Sequence, residues 1–436
     1  MSAMLNRMVT RRTVLKGSGA TVAGVLLAPF GGRVRAGTLA SPPLAAPRIA
    51  GVTATLPRLR SAPAPLHEPR SLLTRPITAA VEPDASGLHY TRAEGYFPNR
   101  GSATGILRST EVVAFEAHES RLGIDLDGDG DTSQGGIFYL HRPTGMIRFT
   151  GIERGSLRGA TDRWIVFVTT EAVLGEDYNG DGIIDDAPIP GFFDVETGQV
   201  AYLRVPRLRH EFYDPAWIRV SGNRIVFRCA ERPEIAYYDL ATGELVYTPA
   251  VGRLPAIDGD RIAYVTSDST LAFYDIVDDK ISDTRERLVG ADSPTDVELT
   301  VAGDWIVYRN YERFVGKDLD GDGRLDEVIG IWHVTSGELR YLPASAGSTI
   351  VANNRMYLTE LVIGAERQVT GHRVGYRDLF SDEVRMVDLP VRPRLIAAND
   401  DGVLVAVRET AARRDLNGDG RISQQLIAAF VSLPRE

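Results

Sequence analysis

"WIVFVTTEAVLGEDYNGDG" (residues 164–182) and "WIVYRNYERFVGKDLDGDG" (residues 305–323) follow one plan. Each opens with a run of β-branched and aromatic residues, reaches Glu171 or Glu312, and six residues later enters D-x-[DN]-G-D-G. The first half reads as a strand, because such side chains pack well on a pleated surface. The second half sets carboxylate or amide oxygens at alternate places, with glycine at the sixth to permit a sharp turn. Two more copies stand at "VVAFEAHESRLGIDLDGDG" (112–130) and "VLVAVRETAARRDLNGDG" (403–420), so the unit E-x5-D-x-[DN]-G-D-G occurs four times.

The strand half also recurs without the loop, in "RIVFRCAE", "RIAYVTSD" and "RMYLTE". Seven acid-terminated runs result, ending on Glu119, Glu171, Glu231, Asp268, Glu312, Glu360 and Glu409. Their intervals are 52, 60, 37, 44, 48 and 49 residues, a period near fifty. After each run comes a hairpin, clearest in "IFYLHRPTGMIRFT", "GFFDVETGQVAYLRV", "IAYYDLATGELVYT" and "GIWHVTSGELRYLP", where Thr-Gly or Ser-Gly supplies the positive φ of a tight turn. A short apolar segment such as "WIRVSG" or "ELTVAG" precedes each run. Four strands per unit and seven units predict an all-β chain over 88–436, a seven-bladed β-propeller of four-stranded antiparallel blades, with calcium loops between the second and third strands of four blades. An open solenoid is the alternative, but it would want capping units and a steadier repeat. The last unit runs out at "LIAAFVSLPRE", so its outermost strand is expected from "GLHYTRAEGYF" or "RIAGVTATL" near the other end.

At the start, "TRRTVLKGSGATVAGVLLAPFGGRVRAG" places Arg11 and Arg12 before a short apolar stretch rich in Gly and Ala. Residues 1–40 resemble a twin-arginine export signal, with Val14 where Phe is common. The stretch is poorly suited to anchor the chain as a span, and no cysteine follows it for a lipid. Residues 41–87, rich in Pro and Ala, read as a linker or extended segment. The expected location is periplasmic or extracellular. Loss of the signal removes six basic residues, leaving 43 against 58 acidic ones and a charge of about −15. Such a charge excludes nucleic acid and anionic membrane surfaces as partners and suits capture of divalent cations. The single cysteine, Cys229, excludes a disulfide framework and reads as a buried thiol.

The loops carry the metal expectation: Ca²⁺, up to four ions. The candidate ligands are Asp125, Asp127, Asp129, Asp131 and Ser133 in the first loop, and Asp177, Asn179, Asp181 and Asp185 in the second. The third offers Asp318, Asp320, Asp322 and Asp326, and the fourth Asp415, Asn417, Asp419 and Ser423. An EF-hand loop closes with a bidentate glutamate at place twelve. Here that place holds Gly136, Pro188, Ile329 and Leu426, so the carboxylate is expected from upstream, from Glu119, Glu171, Glu312 and Glu409. The competing reading makes each glutamate a solvated strand end or an ion-pair partner. Magnesium, which keeps more of its water, suits the pattern less well.

Strands interrupted by "DLNGDG"-type loops resemble the calcium-loop β-propellers of secreted bacterial proteins and integrin-type propeller loops, and the wider fold is similar to TolB-like propellers. The resemblance covers about residues 88–436. It implies loops that stiffen blades and do not catalyse.

Residues ending second strands and residues between units should meet at one mouth of the channel. His118 stands there beside Glu119, and "RVPRLRHEFYDPAW" brings Arg209, His210 and Tyr213. A His, Tyr and Arg cluster over a propeller mouth resembles the sites of propeller-fold polysaccharide lyases, which implies a His or Tyr base and an Arg neutralising a uronate carboxylate. His141 and His333 occupy nearly equivalent third-strand places, where repeat packing explains them better than zinc. No HExxH, CxxC, G-x-S-x-G or phosphate loop is present. The expected role is therefore a monomeric extracytoplasmic binding or scaffolding protein with a protein or polysaccharide ligand. A lyase acting on uronate polymers is the alternative.

Overall fold

The computed structural model describes residues 88–97, 106–122, 125, 130–133, 135–178, 180, 182–185, 188–203, 218–228, 233–288, 298–344, 349–363, 368–418 and 420–433. The segment that resembles an export signal, the Pro/Ala-rich segment, Cys229 and the stretch 204–217 with Arg209, His210 and Tyr213 lie outside the described residues.

Seven sheets follow one another along the chain, at 112–149, 156–202, 219–251, 253–287, 299–343, 349–389 and 394–432, numbered here as blades one to seven. Within a blade each strand pairs antiparallel with the next, so the chain meanders outward from the inner strand. The inner strands pack blade to blade around the ring, and blade seven meets blade one. This is the seven-bladed propeller that the repeat predicts. Branched and aromatic residues of second strands, such as Ile165, Phe167, Ile306 and Tyr308, are fully buried between sheets. Each such aliphatic side chain contributes about 1.5–3 kcal/mol by leaving water.

The ring closes with the first described strand. Leu88–Gly95 pairs antiparallel with Leu426–Ser432, from Leu88 opposite Val431 to Gly95 opposite Leu426, and becomes the outermost strand of blade seven. Of the two candidate segments, "GLHYTRAEGYF" is therefore the one used. Leu88 has no exposed surface and packs with Val403, Val405 and Val407. The chain then passes directly to blade one, where Tyr96 exchanges both backbone hydrogen bonds with Glu116 at 2.7 and 2.8 Å.

Blade one departs from the expected four strands. Val112–His118, Gly135–His141 and Met146–Phe149 form a three-stranded sheet. The inner segment Ile106–Leu107 runs parallel to the inner strand of blade two, Ser156–Ala160, and pairs with it. Two strand pairings serve blade one's neighbours on either side, at the cost of its own inner edge.

Two local devices repeat. In the hairpins Gly145, Gly198, Gly243 and Gly337 have φ between 66° and 74°, as the Thr-Gly and Ser-Gly pairs predict. Four residues ahead of each glycine a side chain holds the turn. Asp194 accepts the Glu196 N–H and Asp239 the Ala241 N–H, both at 2.9 Å. His141 and His333 fill the same place, their Nδ1 atoms paired with the hydroxyls of Thr144 (2.9 Å) and Ser336 (2.8 Å). The second device joins blades: the residue opening a second strand reaches the inner turn of the next blade. Trp164 Nε1 donates to Asn223 (2.9 Å), Trp305 Nε1 to Asn354 (3.2 Å) and Arg261 to Asp304 (3.0 Å). At the closure Asn399 donates to Thr110 at 2.7 Å.

Candidate functional site

Each glutamate of the repeated unit opens a single helical turn directly after the second strand: α1 (Glu119–Leu122), α2 (Glu171–Leu174), α3 (Glu312–Val315) and α4 (Glu409–Ala412). All four are 0–1% exposed, which rules out the solvated strand end. Glu171 Oε1 accepts the Tyr178 N–H at 2.7 Å. Glu409 Oε1 accepts the Leu416 N–H at 2.6 Å, and its Oε2 accepts that of Ser423 at 2.7 Å. In blade five Glu312 Oε1 accepts from Leu319 and Asp320, and Oε2 from Asp326 at 3.1 Å. The carboxylate thus ties both arms of the loop, its second and ninth places, to the end of the strand. Backbone bonds reinforce the tie, Ala172 N–H to Asp185 O at 2.7 Å and Glu312 N–H to Asp326 O at 2.9 Å.

The first aspartate of each loop organises the turn. Asp177 accepts the N–H groups of Gly180 and Gly182, Asp318 those of Gly321 and Gly323, and Asp415 those of Gly418 and Gly420, all at 2.7–2.9 Å. Asp125 accepts the Gly130 N–H at 2.9 Å. Blade five displays its loop completely. There carboxylate oxygens of Glu312, Asp318 and Asp320 lie within 4.8 Å of one another. Asp320 Oδ2 is buried without a hydrogen-bond partner, and burial, then the charges of Asp322, Glu312 and Asp318, push its carboxyl up. Hard oxygens converging with uncompensated negative charge fit a divalent cation. Asp322 accepts the Arg324 N–H at 2.8 Å, and Asn417 of the blade-seven loop is 3% exposed. Asp127, Asp129, Asn179, Asp181 and Asp419 lie outside the described residues.

On this loop-bearing face a cleft of about 730 Å³ opens where blades one, two and seven meet. Tyr96, Glu116, His118, Asp131, Glu153 and Arg154 line it, with Ser133 and Gln425 contributed by the loop segments of blades one and seven. Glu116 and His118 are two apart on one strand and so point to the same side. His118 is exposed, and its Nδ1 pairs with Ser120 Oγ at 2.9 Å. Its cross-strand partner is Gly135, where a Cβ would come within 3.0 Å of the imidazole. Glu116 Oε1 accepts the Leu157 N–H of blade two at 2.6 Å, and burial pushes its carboxyl up. Asp131, expected at the metal, turns its carboxylate onto Ser133, accepting the N–H and the hydroxyl at 2.8 Å each. Behind Tyr96 the Arg394 guanidinium lies 5.9 Å from the ring centre.

Of the four residues proposed for chemistry, the described structure places His118 in this cleft. Its Tyr and Arg companions there are Tyr96 and Arg154, which sequence reasoning missed, as it missed Glu116. Glu116 had a weak signal: it is an acid inside "VVAFEAH", at a register where the other second strands carry Val168, Arg228, Val265, Arg309, Tyr357 and Ala406, none of them acidic.

No family model and no curated protein matches the chain. Solved structures do. The tricorn protease is 14% identical over 73% of this chain, with a TM-score of 0.40, and this chain spans 33% of it. The β-propeller domain of the trilobed protease from Pyrococcus furiosus is 11% identical, covering 78% of this chain and 94% of that one, with a TM-score of 0.47. Oligogalacturonate lyase from Vibrio parahaemolyticus is 11% identical, covering 79% and 93%, with a TM-score of 0.44. At such identities no activity carries over to this chain.

Proposed function

We propose that the chain is an exported, monomeric, calcium-braced β-propeller that serves outside the cytoplasm as a binding protein, presenting its loop-bearing face to the ligand. The observation that carries the reading is the buried glutamate repeated in α1 to α4, each beside an aspartate-organised loop. In blade five Glu312, Asp318 and Asp320 would hold the ion, and the equivalent residues would do so in blades one, two and seven. A bound ion neutralises the clustered carboxylates and locks the loop to the strand. The twin-arginine pattern supports export. Calorimetric titration with Ca²⁺ and with Mg²⁺ should give saturable binding of up to four Ca²⁺ and weaker Mg²⁺ binding. Melting should fall in chelator, since metal at a hundredfold excess over Kd stabilises the fold by about 2.7 kcal/mol per site. An unchanged melting temperature and a flat titration sink the reading.

The grouping of His118, Tyr96 and Arg154 in one cleft favours a second reading, a polysaccharide lyase acting on uronate polymers. His118 or Tyr96 would take the proton beside a carboxylate held by Arg154. Release of unsaturated uronate absorbance by the wild type and its loss in His118→Ala tests it, and no release from any acidic polymer ends it.

A further inference from the structure

We propose that the cleft between blades one, two and seven is a binding site for a neutral oligosaccharide. The proposal rests on the binding reading and names the ligand class. Three carboxyl groups, Glu116, Asp131 and Glu153, face one guanidinium, Arg154, and one imidazole, His118. In a chain whose formal charge is already −9, that lining repels a polyanion and offers acceptors to hydroxyl donors. Arg154 and Gln425 supply donors to the hydroxyl and ring oxygens of the same ligand, and Tyr96 supplies an aromatic ring. Carboxylate acceptors beside a few donors and one aromatic ring match a polyhydroxylated molecule that carries no negative charge. A volume of about 730 Å³ falls within the span typical of small-ligand sites.

The cleft is also held in shape. Glu116 is anchored across the blade boundary by the Leu157 N–H, so blades one and two cannot shift without moving it. His118 is steadied by Ser120, and Gly135 opposite leaves room for its ring. Asp131 is fixed by the backbone and hydroxyl of Ser133. Polar groups whose positions are set before the ligand arrives lose little freedom on binding.

The test uses the full exported chain in calcium, with cellohexaose, xylohexaose and mannohexaose as neutral probes and trigalacturonate as the charged one, measured by calorimetry. Binding of a neutral probe, weakened at least tenfold in Glu116→Ala and in the surface variant Glu153→Gln, supports the proposal. A single cooperative melt and calcium binding like the wild type certify that both variants are folded. Binding of trigalacturonate alone, lost in Arg154→Ala, overturns the ligand class while a binding role stands. Silence from every neutral probe overturns the proposal too. The calcium brace is read separately from melting in chelator, so its failure is not confused with this one.

Discussion

Replacing Glu312 separates two roles that its geometry combines. The carboxylate, fully buried, accepts three backbone N–H groups, from Leu319, Asp320 and Asp326, and sits beside the carboxylates of Asp318 and Asp320. A hydrogen bond to an ionised buried acceptor is worth about 1.5–3 kcal/mol, and orphaning each donor costs about 1–3 kcal/mol. Water entering the emptied space and relaxation of the loop recover part of that. Glu312→Ala is therefore expected to cost about 3–5 kcal/mol, the range for removing one member of a buried charged set. At about 2 °C or less per kcal/mol for a chain of this length, melting should fall by no more than about 6–10 °C. Glu312→Gln keeps the Oε1 acceptor for Leu319 but turns an amide N–H₂ toward the Asp326 N–H, and should cost about 1–3 kcal/mol. The assay is chemical and thermal unfolding in calcium and again in chelator. If Glu312 both anchors the loop and helps hold the ion, the loss is larger in calcium, by about 1.4 kcal/mol for each tenfold weakening of the metal. Wild-type stability of Glu312→Ala in chelator refutes the anchor, and equal losses in both media refute the ligand.

Two further expectations follow from single residues. Burial raises the Glu116 carboxyl above its ordinary 4.5, so the folded state holds that proton more tightly than the unfolded chain. Its stabilising share is complete below pH 4.5 and is lost as pH rises through the folded value. Glu116→Gln should therefore gain on the wild type between pH 4 and pH 8 in denaturant titrations, and a difference independent of pH would refute the assignment. Leu88→Asp sets a charge where the closing strand has no exposed surface. A loss of about 3–5 kcal/mol and faster proteolysis of the opened ring are expected, and unchanged melting would mean that the strand does not close the ring.

What could be read in the chain was whatever repeats within one blade. Thr-Gly and Ser-Gly announce positive φ because a two-strand turn demands it locally, and the four hairpin glycines comply. Glu171 and Glu312 announce their loops because the strand, the acid and the turn are neighbours in sequence, and the fold only has to bend the chain back by one helical turn. Even the closing strand was visible as a candidate, since a ring that lacks one outer strand must take it from the far end of the chain. The cross-blade joints were half visible. Trp164 and Trp305 stand at the same place in their runs, but their acceptors, Asn223 and Asn354, lie in the next unit and gain meaning only when the blades are set side by side.

The cleft was not readable, for a physical reason that also locates it. Its residues come from the closing segment (Tyr96), a second strand (Glu116, His118), two loops (Asp131, Gln425) and the link between blades one and two (Glu153, Arg154). No spacing rule relates them, because the ring alone brings their segments together. They gather at the sector where, among the described residues, the sheet pattern departs from four strands. Blade one has three strands in its own sheet, its inner segment has moved onto blade two, and Tyr96 takes part of the vacated edge. Regular blades fill the space between neighbours with Val, Ile and aromatic side chains, as Val226, Ile262 and Tyr264 do between blades three and four. A blade that surrenders its inner strand cannot fill the top of that space. What is left is walled by polar ends of strands and by loops that the buried glutamates hold in place. Regularity in the other blades supplies the rigidity, and its absence in blade one supplies the opening.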